Sequence, residues 1–77
     1  MSILSERLLL LKKQHNVLQK DLANAVGKSL REYQRYEYGE HEPTASTIIA
    51  LAKFYKVSAD YLLGLTDNPN PKEQVEE

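Results

Sequence analysis

Gln19-Lys20-Asp21-Leu22-Ala23-Asn24-Ala25-Val26-Gly27-Lys28-Ser29-Leu30-Arg31-Glu32-Tyr33-Gln34-Arg35-Tyr36-Glu37-Tyr38-Gly39 is the stretch whose reading decides the fold. Leu22, Ala23 and Val26 recur at helical spacing, and Gly27 stands where a left-handed stop is needed. This predicts a helix from Gln19 to Val26. A second one opens at Ser29, where Ser29-Leu30-Arg31-Glu32 has the spacing of a capping box, and stops at Gly39. Only two or three residues join the two. So tight a joint sets the second helix steeply across the first and leaves its outer side exposed. Ala23 is small where the helices cross, and Gly27 supplies a positive φ that a side chain resists. Small at 23, glycine at 27 and apolar at 30, 33 and 36 form a helix-turn-helix signature.

At 100° per residue, Tyr33, Tyr36 and Glu37 fall on the inward side of the second of these helices, with Leu30 at the border. Arg31, Gln34, Arg35 and Tyr38 cover the opposite arc. That arc has the chemistry of base readout: Arg forks onto guanine, Gln pairs with adenine, and both reach phosphate. An ordinary solvated face would carry Lys and Glu instead.

Outward from this pair, Leu4, Leu8 and Leu11 form a core stripe on a first helix, capped by Ser2 and stopped at Asn16. After the loop Gly39-Glu40-His41-Glu42-Pro43, Thr44 caps a fourth helix whose inner face is Ile48, Leu51, Ala52 and Tyr55. Ser58 caps a short fifth helix, Ala59 to Leu63, closed by Gly64. No segment alternates as a strand would, so the class is all-α, five short helices around one core. Residues 1–66 form the domain. Residues 67–77, with two prolines and four acids, read as an acidic, mobile tail.

The chain has 77 residues, no cysteine, and hydrophobic and charged fractions of 42% and 27%. One compact domain is the expectation, with no disulfide framework, no thiolate metal site and no separate ligand-sensing domain. No apolar run approaches the roughly 20 residues needed to span a bilayer, so a soluble, cytoplasmic protein is expected. Net charge is −1, yet residues 1–38 carry seven basic and four acidic groups, a balance of +3, while residues 67–77 stand at −3. Fields act locally over about 8 Å in the cell, so this distribution outweighs the total. Catalysis finds no support, since there is no cysteine nucleophile, no glycine-rich phosphate loop and no sheltered Ser/His/acid set. No metal or cofactor is expected either. His15 and His41 lack a second ligand at metal spacing and read as surface histidines.

The chain resembles the Cro and phage-repressor superfamily of helix-turn-helix regulators, the xenobiotic-response-element type. The resemblance rests on Arg7-Leu8, Leu11-Lys12, Gln19 to Ala23, Gly27-Lys28-Ser29, Tyr33 to Gly39, Pro43-Thr44 and Val57 to Gly64. It implies a five-helix lambda-repressor-like DNA-binding domain that inserts its third helix into the major groove as a homodimer on a palindromic operator. By the same resemblance Gln19 contacts phosphate and braces recognition-helix side chains. Lys28 lies in the matching turn. Ser29, Leu30 and Arg31 fall on early recognition positions, and Arg35 on a later one; Gln34 and Tyr38 lie beside them. Glu37 matches a glutamate that pairs with an arginine on the first helix, where Lys12 stands here, so a structural Lys12–Glu37 pair is expected.

Four departures from the family pattern stand out. Leu18 replaces the usual Ser or Thr cap. Leu30 replaces a polar residue and faces either a thymine methyl or the core edge. Glu40 and Glu42 replace basic loop residues. Leu9 and Leu10 are more apolar than an exposed side requires. The alternative reading is therefore a protein-interaction module, an antitoxin or adaptor docked through Leu9, Leu10 or the Leu62-Leu63-Leu65 end.

Overall fold

The structure, a computed structural model, describes residues 2–70. Five helices follow in chain order: α1 Ile3–His15, α2 Gln19–Val26, α3 Leu30–Tyr38, α4 Ala45–Tyr55 and α5 Ala59–Leu63. α1 packs on α3 and α5, α2 on α3 and α4, and α4 on α5. The core they enclose holds Leu8, Leu11, Leu22, Ala23, Tyr33, Tyr36, Leu51, Ala52, Tyr55, Val57, Tyr61 and Leu62. Leu4, Val26 and Ile48, expected in the core stripes, are half-buried at its margin. Among the described residues no helix is long and apolar enough to cross a membrane.

Each helix ends where its local chemistry directs. Ser2 and Ser5 form a reciprocal cap at the start of α1, and Ser5 is fully buried there. Thr44 and Ser58 accept from the Thr47 and Tyr61 N–H groups at the starts of α4 and α5. Leu18 gives α2 no side-chain cap, as its apolar side chain requires. Gly27 turns the chain at φ 70°, and its N–H and that of Lys28 close the last carbonyls of α2. α4 ends differently: Lys56, not a glycine, takes the left-handed conformation at φ 59°.

Two features of the chain's end differ from the expectation. Residues 67–70, read as the start of a mobile tail, fold back on the domain. The Ser58 N–H donates to the Pro69 carbonyl at 2.9 Å. Arg7 donates to the carbonyls of Tyr61 and Thr66 and to Asp67 Oδ1, at 2.8–2.9 Å, and its guanidinium lies over the Tyr61 ring. The rest of that stretch, 71–77, lies outside the described residues. Leu62, counted with Leu63 and Leu65 as a docking end, is fully buried, because its side chain faces the core from the short α5. Leu63 and Leu65 are exposed, Leu65 at 74%.

Candidate nucleic-acid interface

α3 is seated by its inner side. Tyr33, Tyr36 and Glu37 are buried there, and the Tyr33 and Tyr36 rings meet edge to face. Ser29 caps the helix by accepting from the Glu32 N–H at 3.0 Å. The expected capping box is only half formed. Glu32 directs its carboxylate away from the Ser29 N–H, placing Oε2 3.1 Å from His41 Nδ1 and Oε1 3.6 Å from an Arg35 nitrogen. A charged partner and an imidazole outcompete a backbone donor for that carboxylate.

The expected Lys12–Glu37 pair is present at 2.9 Å, with the carboxylate fully buried and Lys12 about one-quarter exposed. The same Glu37 oxygen accepts from Gln19 Nε2 at 2.9 Å. That fixes the Gln19 amide, whose Oε1 accepts from Gln34 Nε2 at 3.0 Å. One chain of hydrogen bonds thus runs from α1 through α3 and α2 to the outer side of α3. Glu37 Oε2 and the hydroxyls of Tyr33 and Tyr55 are buried without a hydrogen-bond partner. Burial first, and the Glu37 carboxylate next, push both tyrosine hydroxyls far above the ordinary tyrosine range.

The outer side holds the residues singled out in the sequence. Arg31 and Tyr38 are exposed, and Leu30 is 45% exposed, so it lies outside the core edge. Gln34 and Arg35 are half-buried, the first tied to Gln19 and the second beside Glu32. The structure brings Gln19 onto this face through Gln34. Ser29 stands exposed at the start of α3, its hydroxyl committed to the cap. Lys28 is exposed in the turn, and its N–H donates to the Ala23 carbonyl. Sequence reasoning missed His41 and Glu32 as partners. A histidine nine residues from a glutamate has no period to betray it, because the loop after α3 brings it back.

A family model described as Helix-turn-helix matches residues 8–62. The HTH-type transcriptional regulator YobD of Bacillus subtilis (strain 168) is 40% identical over 67 residues, 87% of this chain and 60% of that protein. The cryptic phage CTXphi transcriptional repressor RstR of Vibrio cholerae is 36% identical over 61 residues, 79% of this chain and 54% of that protein. The chain thus spans between half and three-fifths of the length of these curated relatives. Among solved structures, the P22 c2 repressor crystallised with a synthetic operator superposes with a TM-score of 0.75 at 32% identity, covering 82% of this chain and 96% of that one. A transcriptional regulator from Listeria innocua gives 0.76 at 31% identity, covering 79% and 57%.

Proposed function

The chain belongs to the helix-turn-helix family whose model spans residues 8–62, and from that premise we propose that it is a sequence-specific transcriptional repressor reading double-stranded DNA with α3 in the major groove. The observation that carries the reading is the outer side of α3. Two arginines, a glutamine and a tyrosine line the outer side of a helix whose opposite side is locked into the core, Arg31 and Tyr38 exposed and Gln34 and Arg35 half-buried. Arg31 and Arg35 supply guanidinium forks for guanine or phosphate, Gln34 an amide for adenine, and Leu30 an aliphatic surface for a thymine methyl. Gln19, Lys28 and Ser29 border this face, and with Tyr38 they contact the phosphate backbone. Likeness to a protein named a transcriptional repressor and to one crystallised with operator supports the assignment.

Residues 1–66, with 67–70 hydrogen-bonded to them through Asp67 and Pro69, act as the DNA-binding unit. Two copies pair on a palindromic operator in the cytoplasm, because one α3 offers too few contacts for specific affinity. The end of the molecule around Gly64 supports pairing there: exposed Leu63 and Leu65 flank Gly64, and half-exposed Ile3 touches it.

Selection from random duplexes, followed by titration at two salt concentrations, tests the reading. A selected sequence should emerge, and affinity should fall steeply with salt. Arg31→Ala and Arg35→Ala should each cost about 1–3 kcal/mol of specific binding while leaving the fold intact. Affinity unchanged in both variants refutes the assignment of this face. Binding insensitive to salt refutes the DNA partner in favour of a protein one.

A further inference from the structure

The loop after α3 is bound to the residue it influences. The Arg35 carbonyl accepts the Glu40 and His41 N–H groups at 2.9 and 3.3 Å, which closes the loop over the last turn of α3. His41 is thereby set against Glu32, one helical turn before Arg35, with Nδ1 3.1 Å from Oε2. The other oxygen of the same carboxylate lies 3.6 Å from the Arg35 guanidinium. Glu32 therefore stands between an imidazole and an arginine, at the flank of the face assigned to DNA. Its carboxyl is held below the usual range, first by the bond to His41, with the Tyr36 hydroxyl and the Arg35 charge acting in the same direction against desolvation.

Resting on the DNA-binding reading, we propose that Glu32 is a positioning residue for Arg35 and that His41, acting through it, tightens this face on operator DNA as the solution is acidified. With a neutral imidazole, the full charge of Glu32 faces Arg35 and competes with phosphate and guanine for the guanidinium. A proton on His41 gives the carboxylate a cationic partner of its own. Its pull on Arg35 weakens, and the contact at 3.6 Å is loose enough for a DNA group to replace it. The charged groups set about His41 are Glu32 and Arg35 of α3 and its own neighbours Glu40 and Glu42. Tyr36 stands between this cluster and Thr47 of α4, which is uncharged.

The test is operator affinity of the full chain, measured between pH 5.5 and 8 at constant ionic strength, on a duplex recovered by selection. The wild type should bind about two- to fivefold tighter at the acid end, the range of a single exposed charge pair. His41→Gln should abolish the slope. The deciding variant is Glu32→Gln, which keeps His41 in place. A histidine acting merely as an added positive charge near DNA leaves the slope intact in that variant, whereas positioning through Glu32 removes it. A flat wild-type profile, or a slope that survives Glu32→Gln, overturns the proposal while the DNA-binding reading stands. Failure of the wild type to select any sequence at any pH overturns the DNA-binding reading, and the proposal with it. Circular dichroism of both variants across the same pH range confirms that the comparison is between folded proteins.

Discussion

Gly27 and Gly64 both hold left-handed backbone, at φ 70° and 83°, but only one of them is crowded. A Cβ built on Gly27 meets nothing within 4 Å. On Gly64 it would lie 2.6 Å from Cγ2 of Ile3 and 3.3 Å from its Cβ. Gly27→Ala should therefore cost only the backbone strain, about 1–2 kcal/mol. Gly64→Ala should cost that strain plus an overlap of about 1–3 kcal/mol. Ile3 is 48% exposed and can swing partly outward, so the lower half of that range applies. Thermal unfolding of a domain this size shifts about 4–8 °C per kcal/mol. Gly27→Ala should thus melt about 4–16 °C below the wild type and Gly64→Ala about 8–32 °C below it. The double variant Ile3→Ala/Gly64→Ala should recover about 1 kcal/mol relative to the sum of the single changes, as expected for contacting residues. Equal melting of the two glycine variants, or strict additivity with Ile3→Ala, would refute the packing of α1 against the end of α5.

Two further outcomes follow from the backbone and the buried hydroxyls. Lys56 holds a left-handed conformation at the end of α4, so Lys56→Gly should stabilise the protein by about 0.5–1 kcal/mol, read as a higher urea midpoint at unchanged slope. Tyr33 and Tyr55 keep their protons in the folded state far above the ordinary range, whereas the unfolded chain releases them near pH 10. Their contribution to stability is therefore complete below about pH 10 and is lost as pH rises further. The urea midpoint should fall as pH rises above about 10, less steeply in Tyr55→Phe.

Most of the fold was legible because its signals are local. Ser2, Ser29, Thr44 and Ser58 cap helices at the expected positions, and Asn16, Gly27, Gly39 and Gly64 end them. Each depends on bonds within about four residues, which spacing alone reports. Interactions across long separations left no such trace. Arg7 reaches residues 54 to 60 positions away, and nothing in its neighbourhood distinguishes it from a solvated arginine. The half-formed capping box at Ser29 shows the converse, a correct local pattern overridden by His41 from a loop. Lys56 escaped notice because left-handed lysine has no compositional mark. On the candidate face, the helical period set Arg31 and Tyr38 outside and Tyr33, Tyr36 and Glu37 inside, but was silent on half-buried Gln34, whose amide is held by Gln19, and on Arg35 beside Glu32.

The buried Glu37 carries a physical argument of its own. Burying a carboxylate is unfavourable, and here one of its oxygens lacks a partner. Well-packed apolar groups at such positions are often equally or more stabilising. What apolar packing does not supply is direction, since burial of hydrocarbon is indifferent to small rotations of a helix. Lys12 from α1 and Gln19 from α2 both converge on one oxygen carried by α3. Turning α3 about its axis, or sliding it along α2, would move the oxygen that both bonds share. Gln19 passes the same constraint to Gln34 on the outer side. A helix that reads a groove, as proposed for α3, needs its side chains at fixed angles more than it needs another increment of stability, and a directional bond to a buried charge provides that angle where hydrocarbon contact does not.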